Sequence, residues 1–363
     1  MNNKANSNYD KKIFSEEYGD KGITGLVNVG NTCYLNSCMQ LMSHTYELNF
    51  FLKDGEYKKK LNKITDSIIL LEWDKLREIM WSNNCTVAPH GFVNAIRKVA
   101  TIKKRDLFTG NVQNDLQEFL LFIVDCLHNS LAREVDMSIS GISQNQTDEL
   151  AKTCYSMIKD MYKKEYSEIL GIFYGVHVSE ISNLETGESL SLKPEPFSVL
   201  SLSLPPNIDK QPITIYDCFD LYCEKELLDG DNKWFNEKTN SKESVKRGII
   251  FWSLPEVLII DLKRWNGYTR KNNNIVHTPL ENVDFSKYVK GYNKETYIYD
   301  LYGVCNHHGG VQGGHYTAFV KNANGKWYHY NDTRVNEVPD NKVITQQTYC
   351  LFYRKKINFF RNC

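Results

Sequence analysis

The chain changes texture near residue 170, and that change limits what it can fold into. From Gly22 to about residue 170, apolar residues return at helical spacing, as Leu116, Phe119, Leu120, Ile123 and Leu127 do after a polar start. From Phe173 onward they come in short β-branched and aromatic runs punctuated by Gly, Asn and Pro, at 173–179, 200–204, 257–263, 297–304, 315–321, 327–330 and 349–354. A helical front and a strand-rich back predict an α+β fold. Residues 1–21 are polar without a period and read as a flexible lead-in, so the folded part should begin near Gly22. Residues 138–147 read as a surface loop, and the polar stretch 229–246 as a strand connection or an exposed protrusion.

Charge and cysteine content narrow the possible functions. With 44 Lys+Arg against 44 Asp+Glu, no long-range field draws the chain to nucleic acid or to an anionic membrane, and a charged partner must meet a local patch. No stretch approaches the roughly 18 apolar residues of a membrane span, and no signal peptide opens the chain; a soluble intracellular protein is expected. The ten cysteines include no C-x-x-C pair, the closest spacings being Cys33 to Cys38 and Cys218 to Cys223. Neither a disulfide framework nor a zinc ribbon is signalled, so most of these thiols should be small buried hydrophobes.

One cysteine stands apart. In GITGLVNVGNTCYLNSCMQLM, glycines and Asn/Thr residues precede a helical pattern of Leu35, Cys38, Met39 and Met42, which puts Cys33 in the first turn. Asn31 or Thr32 can supply the N-cap, and the positive helix end favours a thiolate, lowering the thiol pKa. The competing assignment is one more buried thiol at a helix start. Cys38 follows the apolar stripe and reads as core.

A thiol hydrolase also needs a base and an orienter for it. In CNHHGGVQGGHYTAFVKNANGKWYHYNDTRV, residues after His315 alternate as a strand, Asn322 to Gly325 turns, and 326–330 return, which is a β-hairpin. Pairing Lys321 with Lys326 sets His315 opposite Asp332 and Tyr316 opposite Asn331, so residue 331 or 332 can hold the imidazole, depending on any bulge. A surface hairpin with polar strand ends is the plainer alternative. A metal site at His307, His308 and His315 is disfavoured, because the intervening glycine-rich segment preorganises no ligands and no Asp, Glu or Cys completes the set. The glycines suit a mobile loop over an extended substrate.

These segments resemble the two signature boxes of the ubiquitin-specific proteases, which are deubiquitinating cysteine peptidases (ubiquitin carboxyl-terminal hydrolases). QNDLQEFLLFIVDCLH at 113–128 resembles that family's Q-x-D-x-x-E-F helix, and EPFSVLSLSLP and LPEVLIIDLKRW resemble its palm strands. The likeness runs from about Gly22 to Arg354. It implies a papain-like cysteine peptidase fold in a catalytic domain at 22–354, with a helical thumb over about 22–165, fingers inserted over about 170–250, a palm sheet from the rest, and a tail at 355–363. It implies Cys33 as nucleophile, His315 as base, Asn331 as third triad member with Asp332 sharing or assuming that role, and Asn28 as oxyanion donor. It further implies that Asp115, Glu118, Gln113, His307, Gly314 and Tyr316 line the path of the ubiquitin tail, with Asp115 and Glu118 reading its arginines and the glycines making room for a Gly-Gly end. The implied reaction is hydrolysis of isopeptide, peptide, thioester and ester bonds at ubiquitin's terminal glycine.

The likeness breaks at the fingers. Members with two C-x-x-C zinc pairs would carry them in VHVSEISNLETGES and NKWFNEKTNSKES, and neither segment holds a cysteine. No zinc and no other cofactor is therefore expected. The expected partners are ubiquitin and ubiquitinated proteins, met by a monomer, with no nucleic acid and no membrane. Two alternatives are a ubiquitin-binding scaffold without turnover and a hydrolase for another ubiquitin-like modifier.

Overall fold

The computed structural model describes residues 16–206, 211–266, 270–310 and 313–356. Its front half is helical, with helices Cys33–Ser43, Tyr46–Lys53, Ser67–Ser82, His90–Ile102, Leu116–Leu131, Gln146–Glu165 and Glu168–Phe173. The Cys33–Ser43 helix is buried along its whole length. An element with no wet face must satisfy its polar side chains internally: Asn36 and Gln40 reach out to neighbouring segments, and Gln40 Nε2 donates to the Thr24 carbonyl at 2.7 Å. The Leu116–Leu131 helix starts where Asp115 caps it, its carboxylate accepting from the Gln117 and Glu118 amides at 2.8 and 3.4 Å.

The back half builds an eight-stranded sheet. Seven strands run in the spatial order Arg334–Val338, Trp327–Asn331, Gly313–Lys321, Ile298–Gly310, Thr348–Lys355, Val257–Lys263 and Val199–Ser203, with Val283–Asp284 pairing onto Ile298–Gly310. The continuous buried run Val257–Leu262 suits a strand covered on both faces. One face receives the helices through Leu35, Met39, Leu120 and Phe352; the other closes over the Ile215–Cys223 helix with Phe219, Phe285 and Tyr353. A second, four-stranded sheet is ordered Ser189–Phe197, Gly175–Asn183, Val245–Ser253 and Glu226–Leu228.

Three expectations change here. Tyr18, inside the segment read as a flexible lead-in, is buried and stacks on Tyr46 with ring centroids 4.7 Å apart, because a large aromatic finds a pocket beside Trp81. Residues 1–15 and 357–363 lie outside the described residues. The hairpin register is also one residue off: Lys321 pairs with Trp327 and Ala318 with Tyr330. The cause is the turn, where the Asn322 amide donates to the Lys326 carbonyl at 2.9 Å and Gly325 takes φ +80°. A three-residue connection ending in a left-handed glycine sets that register. The glycine segment after His308 is likewise strand-paired, Gly309 with Gly314 and Gly310 with Gly313, in place of the mobile loop expected; Val311 and Gln312 lie outside the described residues.

Candidate active site

Cys33 opens its helix beneath the end of the Gly313–Lys321 strand. Thr32 is the N-cap, but its side chain makes no capping bond; the hydroxyl instead accepts from the Val29 amide at 3.0 Å, so neither Asn31 nor Thr32 caps as expected. Asn28 organises the turn, its Oδ1 accepting from the Gly30 and Thr32 amides at 3.2 and 3.0 Å. The Cys33 thiol is 3% exposed and meets the backbone N–H of Tyr316, the residue after His315.

The thiol's acidity reverses one expectation. Burial pushes it above its ordinary value, the Tyr316 N–H pulls it partly back, and the Asp332 carboxylate pushes it up again. Desolvation of a thiolate at a 3% exposed position outweighs the helix-end field, which was read as lowering it. Cys38 follows the same rule as a fully buried core thiol.

His315 Nε2 pairs with Asn331 Oδ1 at 2.7 Å, so Nδ1 is the ring nitrogen not engaged by Asn331. The hairpin supplies the imidazole's amide partner at residue 331, in a register one residue off the one the strand spacing suggested. Asp332 turns the other way. Held at φ +49°, it accepts from Asn36 Nδ2 at 2.8 Å and from Asn28 Nδ2 at 3.1 Å, and its carbonyl accepts from the Leu26 amide at 2.9 Å. The following residue, Thr333, lies so close to Gly25 that a Cβ there would collide with its backbone. Asn36 is missed by sequence reasoning; the available signal was an asparagine one turn after Cys33 in a helix that is buried along its whole length.

The residues read as lining a tail path divide. Glu118 is exposed. Asp115 is already committed: Oδ1 caps the helix, and Oδ2 accepts from the Tyr349 and Tyr316 hydroxyls at 2.7 and 3.4 Å. Gln113 is committed as well, its carboxamide donating to the Gly314 carbonyl at 2.9 Å and accepting from the Gly314 amide at 2.8 Å. That double bond pins the residue before His315. Gly314 has no room for a Cβ, which would strike the His307 ring and the His308 carbonyl. His307 is buried against Tyr316 and Tyr349, ring centroids 4.6 and 5.5 Å away, with Lys271 Nζ 3.1 Å from Nδ1. Burial first and Lys271 second press its pKa down to about 4, so it is neutral at physiological pH. His308 pairs with His315 across the hairpin and is exposed.

A second carboxyl lies under this floor. Asp261 is 3% exposed, in register with Ser201 and Cys350 on the flanking strands, and bonded to the Ser201 hydroxyl, which accepts from Gln117 Nε2 at 2.5 Å. Burial and then the charge of Asp115 raise its pKa to about 7.

A family model described as ubiquitin carboxyl-terminal hydrolase matches residues 24–353. Among curated relatives, ubiquitin carboxyl-terminal hydrolase Usp2 of Drosophila melanogaster is 31% identical over 98% of this chain and 37% of its own length. A probable ubiquitin carboxyl-terminal hydrolase of Acanthamoeba polyphaga mimivirus is 28% identical over 95% of this chain and 92% of its own length. The chain therefore spans nearly all of one relative and little more than a third of the other. In fold it is similar to the SAGA DUB module of Ubp8, Sgf11, Sus1 and Sgf73 bound to monoubiquitin, with TM-score 0.71 and 23% identity over 98% of this chain and 75% of that one.

Proposed function

Because this chain belongs to the ubiquitin carboxyl-terminal hydrolase family of cysteine-type hydrolases, we propose that it is a deubiquitinase whose reaction runs through Cys33, His315 and Asn331. The observation that carries this reading is the His315–Asn331 bond at 2.7 Å beside a Cys33 thiol that meets the Tyr316 N–H. The thiol rests protonated, as its burial demands, and passes its proton to His315 Nδ1 as sulfur attacks the carbonyl of ubiquitin's terminal glycine. His315 then protonates the departing lysine amine, and on the return deprotonates the water that hydrolyses the thioester. Asn331 keeps the imidazole oriented throughout. The Cys33 amide and the free N–H of the Asn28 carboxamide donate to the tetrahedral oxyanion.

The same chemistry extends to peptide, thioester and ester bonds at that glycine, since the acyl part is common to all. Glu118 meets the arginines of the ubiquitin tail. Asp115, Gln113, His307, Gly314 and Tyr316 shape the path that the tail follows, chiefly by holding one another. In family terms the helical front is the thumb, the eight-stranded sheet the palm and the four-stranded sheet the fingers, and the fingers do without zinc.

A ubiquitin probe with a C-terminal electrophile tests this. One equivalent should label the wild type and none should label Cys33→Ala. Binding of ubiquitin without labelling would instead mark a scaffold, and preferential labelling by another Gly-Gly-ended modifier would reassign the substrate.

A further inference from the structure

Asn28 is an exposed side chain, and an exposed carboxamide rotates unless something holds it. Its oxygen is fixed by the Gly30 and Thr32 amides, and one N–H is fixed by Asp332 Oδ2 at 3.1 Å. The aim of the remaining N–H therefore depends on where the Asp332 carboxylate points. Asp332 is held in turn, at Oδ1, by Asn36 Nδ2 at 2.8 Å. Asn36 is 2% exposed and lies one turn along the helix from Cys33.

Beyond the triad and oxyanion roles proposed above, and resting on them, we propose that Asn36 is a positioning residue for the oxyanion donor, acting through Asp332 on Asn28. Two further features support it. Asn36 Oδ1 is buried without a hydrogen-bond partner among the described residues, an arrangement that costs stability and is tolerated because the opposite amide orientation would set that oxygen against the Asp332 carboxylate. The relay also starts on the helix that carries the nucleophile, so sulfur and oxyanion donor are referenced to one rigid element. Asn36 makes a second, longer contact to the Leu26 carbonyl at 3.4 Å, which is a purely structural tie. Gln40 makes a comparable tie one turn later, to the Thr24 carbonyl of the same segment, without touching Asp332.

Ubiquitin aldehyde separates the roles, because the thiol adds across its carbonyl to give a hemithioacetal whose oxygen occupies the oxyanion position, while plain ubiquitin places no such oxygen there. For Asn36→Ala, and for the isosteric Asn36→Asp, aldehyde affinity should fall about 10- to 100-fold with ubiquitin affinity unchanged, and kcat should fall by the same factor at constant KM. Gln40→Ala should lower the melting temperature and leave the aldehyde preference intact. In an Asp332→Ala background the Asn36→Ala loss should vanish, because the relay is already cut. If a folded Asn36→Ala or Asn36→Asp protein keeps the full aldehyde preference, or if the loss persists undiminished in the Asp332→Ala background, the inference is overturned on its own. A wild type that binds ubiquitin but gains nothing from the aldehyde overturns the parent reading and this inference together.

Discussion

The active-site end of the eight-stranded sheet and the four-stranded sheet both have to hold strand ends in place, and they do so by opposite means. At the active site the ties are long-range and converge: Gln113 to Gly314, Asn36 to Asp332 and Asp115 to Tyr349 each join segments more than 200 residues apart. In the four-stranded sheet and its neighbouring hairpin the ties span shorter stretches of chain, as Lys225 to Glu180 does, and many are local turns. Asn183 Oδ1 accepts from the Glu185 and Thr186 amides, and Asn236 bonds both Glu243 oxygens and the Lys238 amide. Convergent ties preorganise reacting groups and concentrate charge and strain, whereas local ties leave a module free to adjust.

The sharpest way to break that contrast is to titrate the crowded end. Asp261 has its pKa raised to about 7 from an ordinary 3.8, by burial first and by Asp115 second. Other charges face it: Lys263 and Arg264 from its own segment favour its ionised form. An acid whose folded pKa lies above its unfolded value holds more protons when folded, so stability falls as pH climbs from about 4 to about 7 and falls no further above that. Relative to Asp261→Asn, the wild type should lose up to about 4 kcal/mol across that window. Denaturant unfolding of both proteins at pH 4 and pH 8 reads the difference; parallel pH profiles would show that the active-site floor stores no such charge.

Next in size is the oxyanion donor. Removing one such donor costs about 3 kcal/mol, so Asn28→Ala should lower kcat by about 10²- to 10³-fold with KM nearly constant, and the lost turn bonds to Gly30 and Thr32 should lower the melting temperature as well. A proportional rise in KM would mean that Asn28 binds the substrate's ground state as well.

What was legible in the sequence follows from how far apart the partners lie. Cys33 could be singled out from its own helix start, and His315 with residue 331 or 332 from one hairpin, since each signal is contained in a short segment. The choice between Asn331 and Asp332 was not legible, because it hangs on the register set by the left-handed Gly325 and on Asn28 and Asn36 claiming Asp332 from some 300 residues away. Gln113 read as a substrate contact and is spent on Gly314 for the same reason. The sign of the Cys33 shift was missed because burial is a property of the assembled core, and no local pattern around residue 33 carries it.

A smaller effect separates the two acids read as a pair. Glu118 is exposed and Asp115 is not fully so, being engaged by two amides and two tyrosines. Glu118→Gln should raise KM for a ubiquitin substrate by about 5- to 10-fold, roughly 1 kcal/mol, with kcat unchanged and the effect shrinking in high salt. Asp115→Ala should mainly lower stability, through the lost cap. If the two variants behave alike, the division of labour at this helix start is wrong.

The smallest effect is expected in the four-stranded region, and it tests whether local ties suffice there without metal. Asn236 is 6% exposed and sits in the segment where the family likeness would put a zinc pair. Its carboxamide bridges the Glu243 carboxylate and the Lys238 amide, as a turn-organising side chain does. Truncating it removes those bonds and leaves Glu243 with Thr239 and Ser241, so Asn236→Ala should cost about 1 kcal/mol or less. Dialysis against a strong chelator should leave both the melting curve and ubiquitin affinity where they were. A stoichiometric zinc found by elemental analysis, or a melting curve that collapses on chelation, would show that this region is held as tightly as the active site, by ligands other than cysteine pairs.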